Sequence, residues 1–144
     1  MKEYSYVTII GAMNEYSDRI EQLAKENDRI CALHNITNIS DYMKEAQIAV
    51  CAGGSTILEL CACATPTVLF TFADNQYGST VLAKHCGIAY AGDARKDDDL
   101  IGTIADCIVA YLSDDAMRER IAVSMKNTVD GYGVGRIAEE LRND

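Results

Sequence analysis

The residues best suited to chemistry are Ala52-Gly53-Gly54-Ser55-Thr56, two glycines and two hydroxyls between an apolar run and an amphipathic stretch carrying Ile57, Leu58, Leu60 and Cys61. Glycines at such a junction let the backbone approach a ligand closely, and the free N–H groups opening the next helix favour an anion such as a phosphate. No Gly-Lys-Ser/Thr follows, so this is not a Walker loop, and the spacing is not the dinucleotide G-x-G-x-x-G. A plain strand-to-helix turn capped by Ser55 or Thr56 accounts for the same residues. Glu59 stands one turn inside the helix. Its carboxylate is placed to accept the two hydroxyls of a ribose or, three residues after Thr56, to close a capping box. Further on, Asp74-Asn75-Gln76 offers two carboxamides and a carboxylate, either as partners for hydroxyl and phosphate oxygens or as helix caps.

Other reactive types are poorly arranged. His85 precedes Cys86-Gly87 near the predicted end of a helix, where a cation is favoured by the dipole. His34 follows a strand and faces the ligand edge, without a Ser, Cys or Asp beside it. Asp97-Asp98-Asp99 cannot turn three consecutive carboxylates toward one ion, and dipole compensation at a helix start suits it better. Gly131-Tyr132-Gly133-Val134-Gly135 has no strand before it and reads as a tight turn launching the last helix. The six cysteines (Cys31, Cys51, Cys61, Cys63, Cys86, Cys107) contain no C-x-x-C pair and have apolar neighbours, so they are expected to be reduced core thiols. No metal or cofactor is expected.

These segments need a scaffold, and the pattern supplies one. Short β-rich runs (6–10, 29–33, 48–52, 67–72, 88–91) alternate with helical stretches (14–27, 40–46, 55–64, 76–86), which predicts parallel strands joined by right-handed crossovers. The fold class is α/β, a Rossmann-like parallel sheet with helices on both faces. Ile48 to Ala52 is almost wholly apolar and is expected mid-sheet. Leu100, Ile101, Ile104, Ile108, Tyr111 and Leu112, then Ile121 and Met125, recur at helical spacing and make the last third helical. Ligands in such sheets bind beyond the carboxyl ends of the strands, here loops 11–14, 34–39, 53–56 and 73–77.

The 144 residues are expected to form one domain, with 49% hydrophobic and 24% charged residues as in an ordinary globular chain. A net charge of -9, from 22 acidic and 13 basic side chains, argues against a nucleic-acid partner. No apolar run is long enough to span a bilayer, and the start lacks an apolar signal core, so a cytoplasmic location is expected.

Taken in order, Asn38-Ile39-x3-Met43, Ala52-Gly53-Gly54-Ser55-Thr56-x2-Glu59, Pro66, Asn75-Gln76, Leu82-x4-Gly87 and Asp130-Gly131-x-Gly133-x2-Arg136-Ile137 resemble one family. They are similar to the C-terminal half of the UDP-sugar hydrolases of pseudaminic acid synthesis, grouped with spore-coat polysaccharide proteins and related to the UDP-GlcNAc transferases of peptidoglycan synthesis. The resemblance covers roughly residues 5–142. It implies the C-terminal half of a GT-B architecture that binds UDP or a UDP-sugar, with Gly53, Gly54, Ser55 and Thr56 as the diphosphate loop and Glu59 on the ribose hydroxyls. Asn75 and Gln76 would lie by the diphosphate and sugar, and the segment around Ile36 and Thr37 would read the uracil edge. In that family an N-terminal domain with a His-containing Gly-rich loop precedes this region. Residues 1–144 show no counterpart of it, and Tyr6 to Ile10 matches what is normally the second strand of the C-terminal domain. No catalytic residue is therefore expected within the 144. A partner chain bearing the N-terminal half, or self-association, is expected to complete any active site; a non-catalytic interaction remnant and a glycosyltransferase subunit are the alternatives.

Overall fold

A computed structural model describes residues 4–143. Strands and helices alternate as β1 (Tyr6–Ile10), α1 (Ser17–Glu26), β2 (Ile30–His34), α2 (Ile39–Glu45), β3 (Ala49–Ala52), α3 (Thr56–Ala62), β4 (Thr67–Thr71), α4 (Tyr77–Cys86) and β5 (Ala89–Asp93). Three further helices follow, α5 (Leu100–Ser113), α6 (Asp115–Thr128) and α7 (Gly133–Asn143). The described residues form two compact units, divided after Ile39, each with its own parallel sheet.

In the first unit β1 pairs with β2 from Tyr6↔Ile30 to Ile10↔His34. The helix predicted from residue 14 begins only at Ser17, because Asn14 Oδ1 accepts the Tyr16 N–H (2.8 Å) and holds those residues in a side-chain turn. After β2, Asn35 turns the chain at φ +50°, a left-handed conformation that Asn tolerates.

In the second unit the sheet order is β3-β4-β5. The mid-sheet position expected for β3 belongs instead to β4, whose Thr67, Val68, Leu69 and Thr71 are buried, whereas Val50 of β3 is 46% exposed. Both runs are apolar, and apolarity alone does not order strands within a sheet. Register slips between Leu69↔Tyr90 and Phe70↔Gly92, a bulge at Ala91 that lets β5 run to Asp93, past its predicted end at Ala91.

Ile57, Leu60, Cys61, Val68, Leu69, Ala83, Tyr111, Ile121 and Met125 form the core of this unit. Tyr111 ties it together: its hydroxyl donates to Thr67 O (3.1 Å) and accepts the Ala89 N–H (2.8 Å), joining the starts of β4 and β5. Burial pushes the Tyr111 hydroxyl's pKa upward, so it keeps its proton. The later helices begin where side chains satisfy their first N–H groups. Asp99 accepts from Gly102 N–H at α5 and Asp114 from Met117 N–H at α6.

Candidate functional site

The glycine loop runs from the end of β3 into α3. Gly53 is buried, and its N–H continues the ladder by donating to Phe70 O (2.8 Å). A Cβ at Gly53 would stand 2.8 Å from Gln76 Cβ and 3.3 Å from Ser79 Cβ, so only glycine fits against α4. Gly54 has φ +143°, in glycine's own region, with open space where a side chain would be. Its N–H is not free as the sequence suggested: it donates to Ser79 Oγ (2.9 Å). The loop is thus pinned from below, and its outer surface stays open.

Neither predicted cap forms. Ser55 occupies the N-cap position of α3 in a helical conformation (φ -67°, ψ -28°) and its side chain accepts no capping bond. That shifts Glu59 one position beyond the capping-box site, and among the described residues its carboxylate has no hydrogen bond or ion pair. The N–H groups of Thr56 and Ile57, in the first turn, have no helical acceptor. Ser55, Thr56 and Glu59 are exposed on one side of the helix while Ile57, Leu60 and Cys61 are buried on the other. The loop can therefore offer backbone donors to an anion and, one turn along, a carboxylate to hydroxyls.

The neighbouring loop after β4 makes a short 3-10 turn, Asp74–Gln76, before α4. Gln76 is buried; its Oε1 accepts the Phe72 N–H (2.8 Å) and its Cβ supports Gly53, so any ligand contact falls to its Nε2. Asn75 is exposed, with no side-chain partner among the described residues. Neither Asp74 nor Asn75 caps α4, contrary to the alternative the sequence offered. Asp74 Oδ1 pairs instead with Arg95 Nη2 (2.8 Å), and Arg95 also grips Asp93 through Nη2 (2.7 Å) and Nε (3.0 Å). Arg95 holds the Asp93 carboxyl well below the usual carboxylate range. Ser79 and Arg95 escaped sequence reasoning; the only hint of Ser79 is its spacing of three from Gln76, which puts both on one side of α4.

Ile36 and Thr37 lie in the β2–α2 loop, within the first unit, with Ile36 half-buried and Thr37 exposed. In the same unit His34 Nε2 is 3.0 Å from Glu21 Oε1, a partner the sequence did not suggest. His85, with Lys84, sits in the last turn of α4 before Gly87 at φ +74°, as expected of a cation at a helix end. Of the three consecutive aspartates, Asp99 caps α5 and Asp97 accepts the Asp93 N–H. Among the described residues no group of three or more His, Cys, Asp or Glu could hold a metal. All six thiols are free, yet only Cys61 and Cys86 are buried, and Cys31 on β2 is exposed. Burial, with Cys86 alongside, pushes the Cys61 thiol up to about 12, and burial takes Cys51 to about 11, so neither is a nucleophile near neutrality.

The family model of the glycosyltransferase family 28 C-terminal domain matches residues 1–127. The chain belongs to this family. It is a nucleotide-sugar-binding domain of glycosyltransferase type, with the Rossmann-like fold of a GT-B C-terminal domain. Family 28 membership covers both units and leaves α7 outside the matched residues. Among curated proteins no match was found. Among the described residues no helix is long and apolar enough to cross a membrane.

Proposed function

We propose that this family 28 domain binds UDP or a UDP-sugar at the glycine loop and acts with an N-terminal GT-B domain to cleave or transfer the sugar. The observation that carries the reading is the uncapped head of α3, where backbone donors at Thr56 and Ile57 and the unpartnered Glu59 carboxylate share one exposed side above an open Gly54. Diphosphate oxygens take the N–H groups of the loop, since anions are favoured at that end of a helix. Glu59 accepts the ribose hydroxyls, and Asn75 and the Nε2 of Gln76 reach the diphosphate and sugar.

Binding energy confined to the nucleotide is felt equally in ground and transition states and so does not accelerate chemistry. Cleavage at the anomeric carbon needs a positioned acid or base and stabilisation of developing charge from the sugar side. In the two-domain architecture that side belongs to the N-terminal domain, supplied by a partner chain or by another part of a longer one. Hydrolysis to free sugar and UDP is the reading from motif order, within surface-polysaccharide or nonulosonic acid synthesis and in the cytoplasm where UDP-sugars are made. Transfer to an acceptor is the second reading, favoured by the glycosyltransferase match. The test is to quantify released UDP from several UDP-sugars with the 144-residue chain alone and after adding an N-terminal domain from a related two-domain enzyme. Turnover is expected only in the mixture; turnover by the chain alone would place catalytic groups within it.

A further inference from the structure

The strands of the second unit are parallel, so the glycine loop, which follows Ala52, and Gly87, which precedes Ala89, belong to opposite ends of its sheet. At the Gly87 end a cleft of about 490 Å³ opens between the last turn of α4 and the middle of α6. We infer that it is a second binding site, separate from the glycine loop, and that it takes a small phosphate monoester.

Two permanent cations and an imidazole line this cleft. Lys84 and His85 come from the last turn of α4, and Arg120 from the face of α6 that also carries Met117, Ile121 and Ser124 at helical spacing. Among the described residues no carboxylate lines it, in a chain where acidic side chains outnumber basic ones 22 to 13. The protein makes no other use of these three groups: among the described residues their side chains have no hydrogen bond or ion pair, whereas Arg95, Arg118 and Arg136 are each paired with an aspartate. The dipole of α4 accounts for Lys84 and His85. It does not account for Arg120, which stands mid-helix on another element.

The donor set selects phosphate. A guanidinium fork holds two phosphate oxygens at once, a lysine adds a point charge, an imidazole offers an N–H in either protonation state, and the Ser124 hydroxyl adds a neutral donor. Between these polar groups the wall is apolar, with Ile121 buried and Met117 half-buried, which suits the carbon body of an ester. Volumes of about 300–1,000 Å³ are usual for small-ligand sites. The net charge of -9 repels an extended polyanion such as nucleic acid or an anionic bilayer, so the ligand is a small molecule whose charge is gathered within reach of the three basic groups.

The probe is glycerol 3-phosphate, titrated into the 144-residue chain with amide NMR detection, beside glycerol, succinate and sodium chloride at matched ionic strength. Saturable shifts are expected at His85, Cys86 and Gly87 and from Arg120 to Ser124, with the phosphate ester alone. Arg120→Gln, at an exposed position, should weaken binding roughly tenfold, the worth of a charge-assisted fork. Lys84→Gln repeats the test from α4, with a smaller loss expected for a single point charge. UDP titrated separately reads the glycine loop from Gly53 to Glu59, so failure there and failure here appear at different amides. Shifts confined to the glycine loop, an Arg120→Gln chain that binds as tightly as the wild type, succinate binding as tightly as the ester, or the same shifts with chloride would overturn the inference. So would Arg120-dependent sedimentation with phosphatidylglycerol vesicles and no response to glycerol 3-phosphate, which would assign the cleft to a membrane surface.

Discussion

The Gly54 N–H donates to Ser79 Oγ at 2.9 Å, so a residue on α4 fixes the glycine loop that leads into α3. Directly beside it Gly53 faces Gln76, with room for no side chain. These two contacts make the loop a rigid platform, and rigidity is what a backbone anion site needs, because donors already in place cost nothing to order.

Ser79→Ala should remove the hydroxyl that Gly54 uses. The expected loss is about 1 kcal/mol of stability in urea unfolding, with weaker UDP binding. Gly53→Ala forces a Cβ against Gln76 and should cost about 1–3 kcal/mol. If both variants unfold at the wild-type urea midpoint, the platform is not held as described.

Glu59→Gln separates ligand from cap. Because no capping bond involves Glu59, stability should change by less than about 0.5 kcal/mol, the scale of an exposed helix-dipole effect. Losing a charge-assisted pair of hydrogen bonds to ribose should weaken UDP binding at least about tenfold. Calorimetry reads the affinity and thermal melting the stability; a lower melting temperature at constant affinity would return Glu59 to a structural role.

Tyr111→Phe keeps the ring and removes the hydroxyl between Thr67 O and the Ala89 N–H. Two buried backbone groups lose their bridge, and about 1–3 kcal/mol should be lost. Amide exchange at Ala89 should accelerate, which is the signature distinguishing this cause from a general loosening.

Two ion-paired aspartates tie stability to acid. Arg136 holds the Asp130 carboxyl down to about 2, and Arg95 holds that of Asp93 well below the usual carboxylate range. A carboxylate with a depressed folded-state pKa contributes stability that is fully present above its ordinary value near 4, and that is lost as pH falls through the folded value. Circular dichroism should therefore hold steady down to about pH 4 and decline toward pH 2. Arg136→Gln should move the onset of the decline at the α6–α7 corner to higher pH; an unchanged profile would count against the Asp130–Arg136 pair.

Much of this was legible in the sequence. The alternation of β-rich and helical runs placed the five strands and the first four helices within a few residues, and helical spacing marked the last third as helical without bounds. Gly53 was readable as a close approach, though not what it approaches. The order of β3 and β4 was not, because two apolar strands look alike until their neighbours are known. Capping at Ser55 and Thr56 was misread because the chain enters α3 already helical, a backbone choice no side chain announces. Ser79 and Arg95 stayed invisible for one reason: each acts on a loop that is distant in sequence or joined to it only by the sheet.

The most direct test of nucleotide binding at the glycine loop is an amide NMR titration of the chain with UDP, with ADP as the comparison. The account predicts saturable shifts at Gly53, Gly54, Ser55, Thr56 and Glu59, tighter for UDP than for ADP. Spectra unmoved by UDP, or moved equally by UDP and ADP, would contradict it.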